Sequence, residues 1–277
     1  MSDSQDQCVL VQHFLAFGSE GLTFKGKLHG AGWGVAQENS VALKISLPFS
    51  VSRKELLPGL MNGSRDECSA GYAALFCQVP IVRELASKQG TKLAPQLMAT
   101  HQLVSSGNEA HALLAIVTEF IEGPTLEEVM EDYKESDAKD PRRLTEALSA
   151  TARYIYELFQ HGICKLDASI GNFVLDELTS PGCATAICVD FGDAALSDDP
   201  RISSVEEERV ETLDRLAREM HEMALLGESA EEATKESEGP AFEALRIILQ
   251  SPQLYIAGEI SYKVFLEQLA GHPLSAS

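Results

Sequence analysis

The periodicity of the apolar residues changes near residue 120, and this change limits the architectures that the chain can adopt. Before that point apolar and polar residues alternate, and Gly, Val and Thr are frequent, as in half-buried strands. Beyond it, apolar residues recur every three to four positions, as on helices packed against a core. The pattern predicts an α+β chain, with a strand-rich lobe over residues 1–122 and a helical lobe over residues 123–277.

Five segments of the first lobe have the composition of strands. They are rich in β-branched and other apolar residues, and glycine turns or polar stretches separate them. Strands that follow one another through short turns favour antiparallel pairing. The sequence therefore predicts a five-stranded antiparallel sheet, built from residues 9–15, 22–28, 40–46, 97–104 and 111–120.

Helical periodicity defines the other elements. Pro80 suits a first helical turn and Gly90 a C-terminal cap, which predicts a helix over residues 80–89. Apolar stripes predict two longer helices, over residues 144–159 and 210–224. The remaining C-terminal predictions are a loop over residues 227–239 and short helices over residues 241–249 and 262–269.

The charge and the composition restrict the partners of the chain. Its formal net charge is −20, and no Lys or Arg run offsets it, so nucleic acids and anionic membranes are unsuitable partners. The N-terminus lacks a secretory pattern, and no apolar run approaches the ~20 residues that span a bilayer. The six cysteines show no CxxC spacing. We therefore expect an intracellular, cytoplasmic chain with reduced thiols.

Two short segments in the second half carry oxygen ligands. Asp167 precedes Asn172 by five residues, and an Asp-Phe-Gly turn begins at Asp190 after a further apolar stretch. Phosphoryl transfer from ATP requires such a set: one carboxylate orients the attacking hydroxyl, while an amide oxygen and a second carboxylate hold Mg²⁺ against the phosphates. A helix-capping aspartate and a turn asparagine would give the same sequence pattern without any catalytic role.

The order of these motifs resembles that of protein kinases, and in particular of small fungal-type kinase-like proteins. The resemblance implies a bilobal protein kinase-like fold, with a five-stranded antiparallel N-lobe and a reduced helical C-lobe. It implies ATP and Mg²⁺ as cofactors and a hydroxyl group as the phosphate acceptor. It also implies that Asp167 is the catalytic base, and that Asn172 and Asp190 bind the metal.

The N-terminal lobe contains further segments that are similar to kinase motifs. Lys44 ends an apolar strand, where kinases place the lysine that contacts the phosphates, and Ala42 is small where the family accommodates adenine. Ala16, Gly18 and Gly21 correspond to the turn that covers the phosphates, with alanine at the first glycine position. A plain hairpin turn and a lysine that reaches out to water are the structural alternatives.

Two assignments depend on the same resemblance. Thr118 would stand at the gatekeeper position of a kinase hinge, with backbone groups of Glu119 and Ile121 facing the adenine edge. The structural alternative is a strand that leaves its sheet through a Glu-Gly-Pro turn. Kinases also pair the strand lysine with a helix glutamate. Three residues compete for that place here: Glu84, which we assign to the cofactor site, Glu67 and Gln78.

Several positions depart from the protein kinase pattern. Lys165-Leu166 replaces His-Arg before Asp167, and Ser169 replaces the lysine that neutralises the transferred phosphoryl group. The segment after the Asp-Phe-Gly turn is short and lacks Ala-Pro-Glu. The identity of the phosphate acceptor is therefore open, and we expect a protein Ser or Thr first. The second possibility is that the chain is a small-molecule phosphotransferase of the aminoglycoside or choline kinase type. The third is that it is a pseudokinase scaffold.

Overall fold

The computed structural model describes eight stretches of the chain, and its fold is built from them. The chain divides into two compact units, Met1–Phe120 and Ile121–Ser277. The elements predicted beyond residue 225 lie outside the described residues, as do Gly18 and Glu67. The described stretches are residues 8–17, 21–30, 40–46, 68–87, 92–103, 113–136, 141–176 and 184–225.

A five-stranded antiparallel sheet organises the first unit, which confirms the prediction from alternating residues. Its strand order is β1-β2-β3-β5-β4, and every neighbouring pair is antiparallel. The strand β3 therefore lies at the centre, between β2 and β5. The strands are β1 (Cys8–Phe17), β2 (Gly21–His29), β3 (Ser40–Ser46), β4 (Leu97–Leu103) and β5 (Leu113–Glu119).

Apolar side chains of β5 contribute to two separate clusters. Val117 packs with Val41 and Leu28, whereas Ile116 packs with Leu114 and with Leu75 of a helix. Successive side chains of a strand point to opposite faces, so the two clusters lie on opposite faces of the sheet. One face is consequently covered by the helix.

This helix, α1 (Cys68–Ala86), begins well before the predicted start at Pro80, and that prediction is wrong. Pro80 lies inside the helix, although an interior proline lacks the N–H donor and normally costs about 3 kcal/mol. The buried side chain of Leu75, five residues earlier, packs against β5 and holds the helix on the sheet. Tertiary packing thus overrides the local signal.

Three helices and two short antiparallel strand pairs are described in the second unit. Helix α3 (Pro141–Gln160) and helix α4 (Val205–Leu225) contain the predicted apolar stripes, and strand β8 (Thr185–Cys188) ends two residues before Asp190 of the Asp-Phe-Gly segment. A single 3-10 turn spans Ile170–Asn172. The elements are α2 (Leu126–Glu135), α3 (Pro141–Gln160), β6 (Ile163–Lys165), β7 (Phe173–Asp176), β8 (Thr185–Cys188), β9 (Ala195–Leu196) and α4 (Val205–Leu225), with β6 paired to β9 and β7 to β8.

The helix α2 is absent from the sequence predictions, although its start carries a recognisable signal. Thr125 accepts a hydrogen bond at its Oγ1 from the backbone N of Glu128 (3.1 Å) and donates its own N–H to Glu128 Oε2 (2.7 Å). This reciprocal capping box satisfies backbone groups that the first helical turn leaves without partners. In the part of the chain that the structure describes, no helix is long and apolar enough to cross a membrane.

The segment that enters the second unit is bound to β7. Leu175 donates its N–H to the carbonyl of Pro124 (2.8 Å), and Ile121 packs with Val174 and Ile187 of the strand pair. Gly123 has φ +146° here, and a Cβ at this position would overlap the carbonyl oxygen of Leu175. Both the backbone conformation and the close approach therefore require glycine.

Replacing Gly123 by alanine is expected to lower the free energy of unfolding by about 3 kcal/mol or more, because backbone strain and a backbone clash add. Gly162→Ala is the matched control. Gly162 also has a positive φ, +90°, but the nearest atom to an added Cβ is Ser197 Oγ at 3.7 Å. It should lose only about 1 kcal/mol in urea unfolding. Equal losses at the two positions would contradict this account.

Candidate active site

Asn172 and Asp190 lie at the same end of the β7–β8 pair. The antiparallel register joins Phe173 to Cys188, so the residue before β7 and the residue after β8 are neighbours. The N–H of Val189 donates to the carbonyl of Asn172 (2.9 Å), which extends the pairing by one step. Asp190 follows directly, so an amide side chain and a carboxylate come from adjacent backbone positions.

The loop between Asp167 and Asn172 is closed by its own hydrogen bonds. Asn172 donates from Nδ2 to the backbone carbonyl of Asp167 (3.1 Å) and from its backbone N to the carbonyl of Ser169 (2.9 Å). Nδ2 is thereby engaged, and the amide oxygen Oδ1 is the acceptor atom of this side chain. Three predicted site residues, Asp167, Asn172 and Asp190, thus belong to one small assembly of the second unit.

The Asp167 carboxylate is half-buried in an acidic environment. Burial raises its pKa above the ordinary aspartate value, and the negative charges of Asp190, Asp193 and Glu219 act in the same direction. The guanidinium of Arg215 opposes them, with its Nη2 atom 2.9 Å from Asp167 Oδ1. A carboxylate with a raised pKa is a better proton acceptor near neutral pH.

One face of α4 supports the loop. Thr212, Arg215 and Glu219 are spaced three and four residues apart, so they share a helix face. Thr212 Oγ1 accepts from the N–H of Leu166 (3.2 Å), and Glu219 Oε2 accepts from the N–H of Ile170 (2.9 Å). None of these three residues is among those predicted from the sequence. The only signal was polar residues recurring at helical spacing within the predicted helix 210–224.

The turn that begins at Asp190 is also held locally. Gly192 donates its N–H to Asp190 Oδ1 (3.1 Å), and the Cys188 thiol donates to the Asp190 carbonyl (3.1 Å). The Phe191 side chain is buried and anchors the turn in the core. These contacts fix the direction in which the chain leaves β8, and with it the place of the carboxylate.

Asn172 and Asp190 offer two oxygen donors that suit Mg²⁺. This ion prefers hard oxygen ligands, keeps several waters, and usually takes only one or two ligands from the protein beside substrate phosphates. Within the described ranges, no group of three or more His, Cys, Asp and Glu residues is arranged to hold a metal ion. Two such donors fit a magnesium ion that takes its remaining ligands from water or from phosphate oxygens.

In the first unit, Ala42, Lys44 and Thr118 share one face of the sheet. Lys44 is opposite Ile116 and Ala42 is opposite Thr118 in the β3–β5 register, and residues opposite each other point to the same side. Ile116 packs against Leu75 of α1, so this is the face that the helix covers. Lys44 is half-buried on it.

The side chains of α1 that compete for the place beside Lys44 differ in exposure. Gln78 is 5% exposed and lies one turn after Leu75, whose side chain packs on the sheet. Glu84 is exposed to solvent. Of the two described candidates, Gln78 rather than Glu84 therefore occupies a buried position on the sheet side of the helix.

The predicted phosphate turn and hinge are described in part. Ala16 pairs with Thr23, and Gly21 begins β2, where a Cβ would overlap the carbonyl of Ile45; this close approach to β3 is enough to explain glycine at that position. At the hinge, Glu119 donates its N–H to the carbonyl of Gln96 (2.8 Å). Among the described residues, the backbone N–H of Ile121 has no hydrogen-bond partner.

Comparison with known proteins finds similarity to solved structures. No protein-family model matches the sequence, and none of the curated proteins is significantly similar to it. Among solved structures, the chain is similar to one described as WaaP in complex with acyl carrier protein. The two share 16% sequence identity over 94% of this chain and 89% of that chain, with a TM-score of 0.48. A likeness of this degree establishes neither a family nor an activity.

Thr212→Val tests the support of the loop. Both Thr212 and Thr151 are buried, but only Thr212 accepts from a backbone N–H outside its own helix; Thr151 donates to the Ala147 carbonyl one turn earlier. Thr212→Val leaves a buried N–H without its acceptor, so we expect a loss of about 2 kcal/mol in unfolding free energy. Thr151→Val should lose less than about 1 kcal/mol. A larger loss for Thr151→Val would contradict the assignment.

Proposed function

We propose that the chain is an ATP-dependent phosphotransferase with a bilobal kinase-like fold, which transfers the γ-phosphoryl group to a hydroxyl, first of all that of a protein Ser or Thr. One observation carries the proposal. The end of the β7–β8 pair presents Asn172 and Asp190 together, and the Asn172 side chain is bonded to the backbone of Asp167. Such a grouping would supply the one base and two metal ligands that phosphoryl transfer requires.

The residues of the second unit have distinct roles in this proposal. Asp167 orients the acceptor hydroxyl and takes its proton as the oxygen bonds to the γ-phosphorus; the bond from that phosphorus to the bridging oxygen breaks, and ADP leaves. Asn172 and Asp190 would hold Mg²⁺, which would supply neutralisation of the charge that develops on the phosphate oxygens. The buried Phe191 keeps the Asp190 carboxylate at the end of β8.

The first unit would contribute the nucleotide contacts. Lys44 pairs with the phosphates from the covered face of the sheet, and Ala42 and Thr118 on the same face border the adenine. Gly18 and Gly21, with Ala16 at the first position of the turn, cover the phosphates. The carbonyl of Glu119 and, from the first residue of the second unit, the backbone N–H of Ile121 would pair with the adenine edge.

The length of chain after the Asp-Phe-Gly segment favours a second candidate acceptor. β9 begins at Ala195, and α4 already begins at Val205. A segment of this size leaves little chain on which a peptide substrate could lie. A small-molecule alcohol, as in aminoglycoside or choline kinases, is therefore the second candidate acceptor.

A third candidate is a non-catalytic kinase-like scaffold. Ser169 and Leu166 occupy positions where catalytic kinases place charged residues. Of the two described candidates for the partner of Lys44, the buried one is the neutral Gln78. A neutral amide organises the lysine charge less well than a carboxylate does. This candidate predicts nucleotide binding without turnover.

ATP turnover, measured with Mg²⁺ against a panel of Ser/Thr peptides and small alcohols, tests the proposal. Asp167→Asn and Asp190→Asn should each lower kcat by about 10³-fold or more, because they remove the base or a metal ligand. Asp199→Asn is the matched control, since Asp199 forms an ion pair with Arg201 (2.6 Å) away from the described loop contacts. It should retain the activity of the unmodified chain.

Three outcomes are informative. Turnover on peptides alone or on small alcohols alone separates the first two candidates. Turnover that survives both Asp167→Asn and Asp190→Asn would overturn the assigned roles. Absence of turnover in the unmodified chain with every acceptor would favour the scaffold.

A further inference from the structure

The loop that carries Asp167 contains no cation of its own. Residues 166–172 include neither Lys nor Arg, and Ser169 stands two positions after the aspartate. The nearest preceding cation, Lys165, is engaged elsewhere, because its Nζ lies 3.2 Å from Glu208 Oε2. A positive charge beside Asp167 must therefore come from another element.

Arg215 of α4 supplies that charge. Its Nη2 atom lies 2.9 Å from Asp167 Oδ1. Oδ1 is buried and accepts no hydrogen bond within the described part of the chain, so the contact is an ion pair without hydrogen-bond geometry. The Asp167 side chain as a whole is 26% exposed, so its accessible surface lies on its other atoms, of which Oδ2 is the polar one. Oδ1 is therefore covered, and Oδ2 is the polar side-chain atom that is left to face a substrate.

The guanidinium is itself oriented toward the loop. Arg215 Nε donates to Glu219 Oε1 (3.4 Å), and the other oxygen of Glu219 accepts from the N–H of Ile170 (2.9 Å). Glu219 thus links the guanidinium to the backbone of the same loop. The Arg215 side chain is 46% exposed, which leaves it accessible to small solutes.

We propose that Arg215 is a positioning residue, which holds Asp167 by Oδ1, presents Oδ2 to the acceptor hydroxyl, and offsets the negative charge around the loop. This inference rests on the proposed function. During transfer the hydroxyl proton passes to Oδ2 as the new oxygen–phosphorus bond forms and ADP departs, while the guanidinium stays on Oδ1. The neighbouring Asp190, Asp193 and Glu219 would otherwise face an incoming triphosphate with little compensation.

Kinetics of Arg215→Ala and Arg215→Lys test this role. Truncation should lower kcat by about 10- to 100-fold, because an oriented base is lost, with KM for ATP changed by less than about threefold. The lysine variant should recover most of the rate, since it restores the charge. Guanidinium chloride at low millimolar concentration should restore part of the kcat of Arg215→Ala by filling the place of the missing side chain.

Arg209→Ala is the matched control on the same helix. Arg209 donates to the backbone carbonyl of Phe159 (2.7 Å) and packs over its ring, so its loss should affect stability and leave kcat unchanged, with no response to guanidinium. Arg215→Ala turnover equal to or above that of the unmodified chain would overturn the inference. So would a loss that neither lysine nor guanidinium repairs, because that result indicates a structural role alone.

Failure of the proposed function can be distinguished from failure of the inference about Arg215. If the unmodified chain turns over no ATP, the contact between Arg215 and Asp167 is tested by thermal unfolding. The Tm is measured for Arg215→Ala, Asp167→Asn and the double variant. Dependence of the Arg215→Ala shift in Tm on Asp167 would show that the guanidinium holds this carboxylate. Additive shifts would overturn the inference as well.

Discussion

The backbone pairing at the end of the β7–β8 strand pair is the constraint on which the candidate site depends. The bond from Val189 to the carbonyl of Asn172 fixes where one strand begins and the other ends. Register in an antiparallel pair is discrete, and a slip of one residue would turn Asn172 and Asp190 to other positions. Backbone hydrogen bonds therefore set the proximity of the two residues, and the candidate site depends on the side chains that these bonds bring together.

The helix α4 completes what the strand pair begins. Loops expose backbone donors that need partners, and Thr212 and Glu219 satisfy two of those donors between Leu166 and Ile170. Arg215, on the same helix face, compensates charge at Asp167. In a chain with a formal net charge of −20, a few placed cations matter more than a positive surface, because no broad positive field exists to attract a triphosphate.

Local patterns were enough to predict the sheet and the helices α3 and α4, and to select Asp167, Asn172 and Asp190 as candidate site residues, because periodicity and motif spacing depend on neighbouring residues. The start of α1 was not predictable in this way, since packing of Leu75 on β5 outweighs the proline signal. The α2 helix could have been found from its capping box. The contact of Arg215 with Asp167 joins residues far apart in sequence, so only the tertiary structure reveals it.

Isothermal titration of ATP, with and without Mg²⁺, tests the central claim most directly, namely that Asn172 and Asp190 form one metal–nucleotide site. The unmodified chain should bind ATP with Mg²⁺ at least about tenfold more tightly than without it, because Asn172 and Asp190 would hold the ion that compensates the charge of the phosphates. Asp190→Asn should abolish this difference and leave metal-free binding unchanged. Equal magnesium dependence in the two proteins would contradict the claim.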